Sequence, residues 1–108
     1  YGYIVCYRFT KDNTYLKQAT NIADFIMNKS KTKEGNIPYW DYNTPNIPNE
    51  LVDASAAAIT ASALIELSGY TDGAYRDYAK KIFDLFFICN FFYCIFNAVL
   101  KTDFWCRF

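Results

Sequence analysis

An aromatic cluster around a carboxylate is the part of this sequence best suited to chemistry. Residues 37–42 read Ile-Pro-Tyr-Trp-Asp-Tyr and lie in a stretch that contains all three prolines. The ring of Trp40 can stack on the C–H face of a sugar, and the adjacent Asp41 carboxylate can bind hydroxyl groups. The alternative is structural, with the loop packed on its neighbours and Asp41 capping a turn. The sequence leaves both interpretations open.

A second pair of polar residues stands at the start of an apolar segment. Asp53 precedes residues 54–67, in which alanine is the commonest residue. We expect Asp53 to be a helix N-cap, because its carboxylate can accept from the free N–H groups of the first turn; a ligand is the alternative. Ser55 either faces a cleft or is a small residue needed for packing. Asp41 and Asp53 could be the carboxylate pair of a conventional glycosidase, but sequence spacing does not define their separation.

The composition argues against several other chemistries. The 108 residues include 11 basic and 11 acidic side chains, and zero net charge argues against a nucleic-acid partner. The absence of histidine excludes Ser-His-Asp and Cys-His nucleophile pairs and most zinc sites. We expect no metal site, because the four cysteines form no CxxC pair and there is no histidine to complete a zinc site. We expect reduced, structural thiols, with two disulfides as the alternative, because three of the four cysteines lie in the last 20 residues. The four are Cys6, Cys89, Cys94 and Cys106.

Apolar spacing predicts helices separated by one long loop. Apolar residues recur at i, i+3 and i+4 after Tyr15, as in an amphipathic helix, and either Asp12 or Asn13 can cap it. The segment 54–67 has so few polar residues that we expect other helices to surround it. The predicted elements are the end of a buried helix at 1–9, an amphipathic helix from 15, a loop at 29–52, an apolar helix at 54–67, a turn at 69–73 and an amphipathic helix from 75.

An internal repeat points to an architecture. Residues 12–19 are similar to residues 72–79, at an offset of 60 residues. Common helical arrays have shorter periods of roughly 33 to 47 residues. A longer unit, with a buried inner helix and a solvated outer one, suits a toroidal α/α barrel. We therefore predict an all-α fold, with about four helices in two inner/outer hairpins; a helical-repeat binding or scaffold module is the alternative.

The two ends of the chain suggest a fragment. Tyr1 opens inside an apolar run and the only methionine is Met27, so we expect the true beginning to lie upstream. Residues 85–100 carry no charge and are rich in phenylalanine. We predict a partial barrel domain at 1–84 and a non-native aromatic tail at 85–108, from a frameshift or a translated intron. A natural core helix and a membrane segment are alternatives, although spanning takes about 17–25 apolar residues.

Four segments of the sequence are distinctive together. They are residues 7–12 (Tyr-Arg-Phe-Thr-Lys-Asp), 37–42 (Ile-Pro-Tyr-Trp-Asp-Tyr), 47–50 (Ile-Pro-Asn-Glu) and 53–59 (Asp-Ala-Ser-Ala-Ala-Ala-Ile). They resemble the unsaturated glucuronyl hydrolases, glycoside hydrolase family 88, and the Pro-Tyr-Trp-Asp loop with the Asp-Ala-Ser-Ala-Ala-Ala segment is the most specific part. The resemblance covers about residues 1–84, which is well under half of a full-length member.

The resemblance implies an (α/α)6 barrel and a reaction. Such enzymes release an unsaturated uronic acid from the non-reducing end of oligosaccharides by hydrating its C4=C5 bond, without metal or organic cofactor. The implied partner is therefore an unsaturated uronic-acid oligosaccharide, and the implied compartment is cytoplasmic or periplasmic.

For the site residues, the resemblance places the catalytic Asp pair upstream, so no catalytic residue is assigned within these 108. Trp40, Asp41, Asp53 and Ser55 remain the substrate-binding candidates. We expect the isolated chain not to catalyse, because part of a barrel cannot close.

Overall fold

The computed structural model describes residues 1–33, 35–71 and 73–100, with side chains described as far as residue 88. It contains the helices α1 (Gly2–Thr10), α2 (Asn13–Lys29), α3 (Ala54–Ser68) and α4 (Ala74–Leu100). Extended pairing within these ranges is confined to isolated bridges. The predicted all-α class, with four helices in two hairpins, is confirmed for the described part of the chain.

A two-residue connection joins α1 to α2. Lys11 ends α1 in the left-handed conformation (φ 58°), and its N–H donates to the carbonyl of Tyr7. Asp12 then caps α2, because its Oδ1 accepts from the Thr14 N–H at 2.9 Å and from the Thr14 hydroxyl at 2.7 Å. These hydrogen bonds hold the pKa of Asp12 below its usual range. Of the two predicted caps, Asp12 is the one that forms.

Small side chains bring α3 and α4 together. Ala57 and Ala61 on α3 and Ala79 on α4 are fully buried, so the two helix backbones approach closely. Ile82 and Leu67 fill the remaining space along this contact. The α2 helix joins the same core through its own alanines and is tied to α4 by the Tyr75 hydroxyl, which donates to Asp24 at 2.9 Å.

The C-terminal ends of α1 and α3 meet. Arg8 forms a two-point ion pair with Glu66, with Nε–Oε1 at 2.9 Å and Nη2–Oε2 at 3.2 Å. The ring of Tyr7 meets the ring of Tyr70 edge to face, with centroids 5.1 Å apart. The two short inter-helix connections therefore lie at one end of the helices, and the long loop between α2 and α3 lies at the other.

Two inner-helix expectations are met only in part. Residues 1–9 were predicted to be the end of a buried helix, whereas Ile4 is the one buried residue of α1. On α3, Ile59 is 64% exposed and Ile65 is 46% exposed. The described helices therefore cover one face of α3 and do not surround it. Each of the other three helices contacts α3, and together they leave the side chains of Ile59 and Ile65 largely uncovered.

The aromatic tail begins inside a helix. The α4 helix continues to Leu100, and Phe86 still packs against the core. The predicted domain boundary at 84/85 and the predicted non-native origin of the tail concern mostly residues 89–108, whose side chains lie outside the part that the structure describes. Cys89, Cys94 and Cys106 lie there too, whereas Cys6 is a free, exposed thiol. Among the described residues, no helix has the length and apolar character needed to cross a membrane.

Candidate functional site

The long loop between α2 and α3 is closed by a short antiparallel ribbon. The Asp53 N–H donates to the carbonyl of Pro38 at 2.8 Å, and the Trp40 N–H donates to the carbonyl of Leu51 at 3.1 Å. Tyr39 pairs with Val52 between these two bonds. The ribbon places the Trp40 backbone beside the start of α3. Sequence reasoning predicted the loop and missed its pairing.

Alternation along the ribbon separates a buried ring from an exposed one. Tyr39 is 6% exposed and packs inward, whereas the next residue, Trp40, is 61% exposed. Successive residues of an extended strand point to opposite faces, which explains this contrast. A large ring left in solvent on an ordered loop is suited to contacting a ligand.

Glu50 holds the edge of the exposed indole. Trp40 Nε1 donates to Glu50 Oε2 at 3.0 Å, and Asn46 Nδ2 donates to Glu50 Oε1 at 2.8 Å. Hydrogen bonds from Trp40, Asn46 and Thr44 hold the pKa of Glu50 below its usual range, so the acceptor stays ionised. Sequence reasoning did not single out Glu50. Its place at the end of the Ile-Pro-Asn-Glu segment was the available signal, but that segment says nothing about its partner.

Asp41 stabilises a turn. Its Oδ1 accepts from the Asn43 N–H at 2.9 Å, which is an Asx turn and the structural role considered from the sequence. The residue is exposed and follows Trp40 directly, so its carboxylate remains accessible to a ligand hydroxyl. The geometry accommodates the structural role and a binding role together.

Asp53 is the N-cap of α3, as predicted. Its Oδ1 accepts from the N–H groups of Ser55 and Ala56 at 2.9 and 3.0 Å, and from the Ser55 hydroxyl at 2.6 Å. The Ser55 hydroxyl bond, followed by the backbone bonds, holds the pKa of Asp53 below its usual range. Both residues are thus engaged in starting α3, and a contact of either with a ligand stays a prediction.

Contacts with the helices support the loop from below. Gly35 lies against Leu85 of α4, and Phe25 of α2 meets Tyr42 edge to face with centroids 5.6 Å apart. Lys33 Nζ donates to Asn49 Oδ1 at 2.9 Å and joins the two arms of the loop. The exposed indole is therefore carried by a segment that is anchored at several points.

An apolar cleft of about 200 Å³ lies elsewhere, between α1, α2 and α3. Ile22, Ile59 and Leu64 are among its walls, together with the rings of Tyr1 and Tyr3. Within the described ranges, no three cysteine, aspartate or glutamate side chains converge as metal ligands would. The candidate site therefore remains the group of ordered polar side chains on the long loop between α2 and α3.

Comparison with known proteins identifies relatives of this arrangement. No protein-family model matches the sequence. An unsaturated glucuronyl hydrolase of Formosa agariphila is 43% identical over 83 residues, which are 76% of this chain and 21% of that protein. An unsaturated glucuronyl hydrolase of Bacillus sp. strain GL1 is 31% identical over 72 residues, 67% of this chain and 19% of that protein.

The helices are similar to a solved structure as well. The crystal structure of an unsaturated glucuronyl hydrolase specific for heparin matches with a TM-score of 0.69 and 40% identity, over 76% of this chain and 23% of that one. The chain spans about a fifth of the length of the curated relatives it matches. Its four helices match a fragment of the α/α barrel of that enzyme. Over about three quarters of its length, this chain is therefore homologous, in sequence and in fold, to a segment of the unsaturated glucuronyl hydrolases.

Proposed function

We propose that this chain is a segment of an enzyme that releases unsaturated uronic acid from the non-reducing end of oligosaccharides. The observation that carries the proposal is the 43% identity to the Formosa agariphila hydrolase over 83 residues. The exposed indole on the anchored loop supports it, because aromatic faces pack against the apolar faces of sugar rings. The reaction adds water across the C4=C5 bond, with the proton going to C4 and the hydroxyl to C5. The resulting hemiketal opens the ring and frees the partner sugar.

The part of this reaction assigned to the chain is substrate binding. Trp40 offers its ring to the sugar, and the neighbouring Asp41 accepts hydrogen bonds from sugar hydroxyls. Asp53 and Ser55 begin α3 and hold one end of the ribbon that carries Trp40. The protonation of C4 and the deprotonation of the water that adds to C5 are assigned to residues outside this chain.

The chain alone is expected not to turn over substrate. Purified protein would be incubated with an unsaturated glucuronyl disaccharide, and loss of the ultraviolet absorbance of the C4=C5 bond would be followed. The absorbance should persist, because the chain lacks the proposed proton donor. Measurable hydration by the 108 residues would contradict this assignment.

A chimera tests the assignment directly. The matched segment of the Formosa agariphila relative would be replaced by the corresponding segment of this chain, and hydration of the same disaccharide would be measured. We expect activity, and we expect Trp40→Ala in the chimera to raise KM. A folded chimera, with a cooperative unfolding transition like that of the relative, that hydrates nothing would contradict the proposed function. It would favour the scaffold alternative.

A further inference from the structure

The indole of Trp40 donates a hydrogen bond to a carboxylate that has a second hydrogen-bond partner. Glu50 uses one oxygen for Trp40 Nε1 and the other for Asn46 Nδ2, at 3.0 and 2.8 Å. The residue after Glu50, Leu51, accepts from the Trp40 N–H at 3.1 Å. Trp40 is therefore bound to the same short segment through its backbone and through its side chain. This leaves the indole little freedom to rotate.

An exposed aromatic ring needs such a restraint to act as a binding surface. With 61% of its surface in solvent, Trp40 has few packing neighbours to select one rotamer. The indole has a single polar donor, Nε1–H, and a hydrogen bond to an ionised acceptor is stronger than one to a neutral acceptor. A ring ordered before binding loses less conformational entropy when a ligand stacks on it.

We propose that Glu50 is a positioning residue, which fixes the Trp40 indole through the Nε1–Oε2 hydrogen bond as a preorganised stacking face for the sugar ring. The sugar ligand rests on the proposed function, whereas the restraint itself rests on the contacts above. Glu50 acts through Trp40 and does not contact the sugar. Asn46 supports it by holding the second carboxylate oxygen.

The restraint is measured first on the chain itself. The chain has two tryptophans, so Trp105→Phe identifies the indole N–H signal of Trp40 in a nitrogen-15 spectrum. Glu50→Ala should shift that signal and speed its exchange with solvent. Glu50→Gln should preserve most of the protection, because its carbonyl oxygen still accepts. Asn49→Ala, which removes the neighbouring Lys33 bond but leaves the acceptor of Trp40 in place, is the matched control and should leave the signal unchanged.

The consequence for binding is measured in the chimera. Glu50→Ala should raise KM by about three- to tenfold, as expected for the entropic cost of ordering one freed side chain on binding, with little change in kcat. Glu50→Gln should restore most of the loss. In a Trp40→Ala background, Glu50→Ala should have no further effect on KM, because the two residues act as one unit. A general role in loop folding would instead lower activity in both backgrounds.

The possible results separate this inference from the proposed function. An unchanged indole signal in Glu50→Ala overturns the positioning role, whatever the chimera does. Additive effects of the two substitutions on KM overturn it as well, in a chimera that is active. A folded, inactive wild-type chimera overturns the proposed function and the sugar ligand with it, and the indole spectrum still decides whether Glu50 restrains Trp40.

Discussion

Gly35 packs against Leu85 so closely that a Cβ at position 35 would lie 2.6 Å from Leu85 Cδ1. The glycine has φ +104°, in a region that side-chain-bearing residues rarely adopt. This contact joins the first arm of the loop to α4 and so helps to position the loop on the helices. It also shows that residue 85 packs against the loop that carries the candidate site.

Replacing this glycine should destabilise the chain. Gly35→Ala is expected to lower the free energy of unfolding by about 1–3 kcal/mol, because the backbone must leave its φ or hold it under strain. Urea denaturation followed by circular dichroism measures the change. The clash and the strain can be separated, since Gly35→Ala with Leu85→Ala removes the steric conflict and leaves the φ. Gly2→Ala, at a helical position with open space for a Cβ, is the control and should not destabilise. An equal effect at both glycines would contradict the reasoning.

The Arg8–Glu66 pair should contribute modestly to stability. Its side chains are 43% and 21% exposed, so water screens the attraction and an exposed pair is typically worth about 0.2–1 kcal/mol. A double-mutant cycle with Arg8→Ala and Glu66→Gln should give a coupling free energy in that range, and it should shrink as salt is added. Arg76→Ala, at an exposed arginine of α4, provides the matched control. A coupling of zero would contradict the contribution of this ion pair to stability.

Acid should weaken the start of α3 through Asp53. Its pKa is lowered in the folded chain by the Ser55 hydroxyl and the first-turn N–H groups. A lowered folded pKa gives stability that is fully present above the unfolded value, about 3.9, and is lost as pH falls through the folded value. The stability of the wild-type chain should therefore fall more steeply below about pH 4 than that of Asp53→Asn, whose amide oxygen caps at every pH. Urea midpoints collected across this pH range measure the difference. Midpoints that fall in parallel for the two proteins would exclude the contribution of the Asp53 carboxylate. The pKa values of Asp12 and Glu50 are also lowered, so the stability of both proteins keeps some dependence on pH.

Alkali should weaken the packing beneath the loop through Tyr78. Burial raises the pKa of this tyrosine from about 10, and its hydroxyl lies near the buried hydroxyl of Ser30. A raised folded pKa gives stability that is fully present below the unfolded value and is lost as pH rises through the folded one. Tyr78→Phe should thus change stability little at neutral pH, and the variant should stay folded to higher pH than the wild-type chain. Thermal unfolding followed at increasing pH tests this, with Tyr3→Phe as the exposed control. The expectation fails if both variants behave alike.

The candidate site shows where sequence reasoning stops. Asp53 was predicted as a cap and forms one, because the bonds involve N–H groups only two and three residues along the chain. Trp40 was singled out on the loop as a residue that can stack on a sugar; its ring is exposed, and the contact with a sugar stays a prediction. Glu50 was missed, because a partner ten residues away along an irregular loop has no periodic signature.

Helical spacing and caps thus suffice for the four described helices, because each depends on neighbours within one or two helical turns, where sequence separation translates directly into distance. The pairing of the helices in two hairpins was predicted from the 60-residue repeat, and the relationship to the glucuronyl hydrolases from the residue types of four short segments. The ribbon between residues 38–40 and 51–53, the Glu50 restraint and the Gly35–Leu85 contact depend on how the loop path and the helices meet in three dimensions. Sequence separation does not specify those distances, because loop closure permits many paths and packing against α2 and α4 selects one of them.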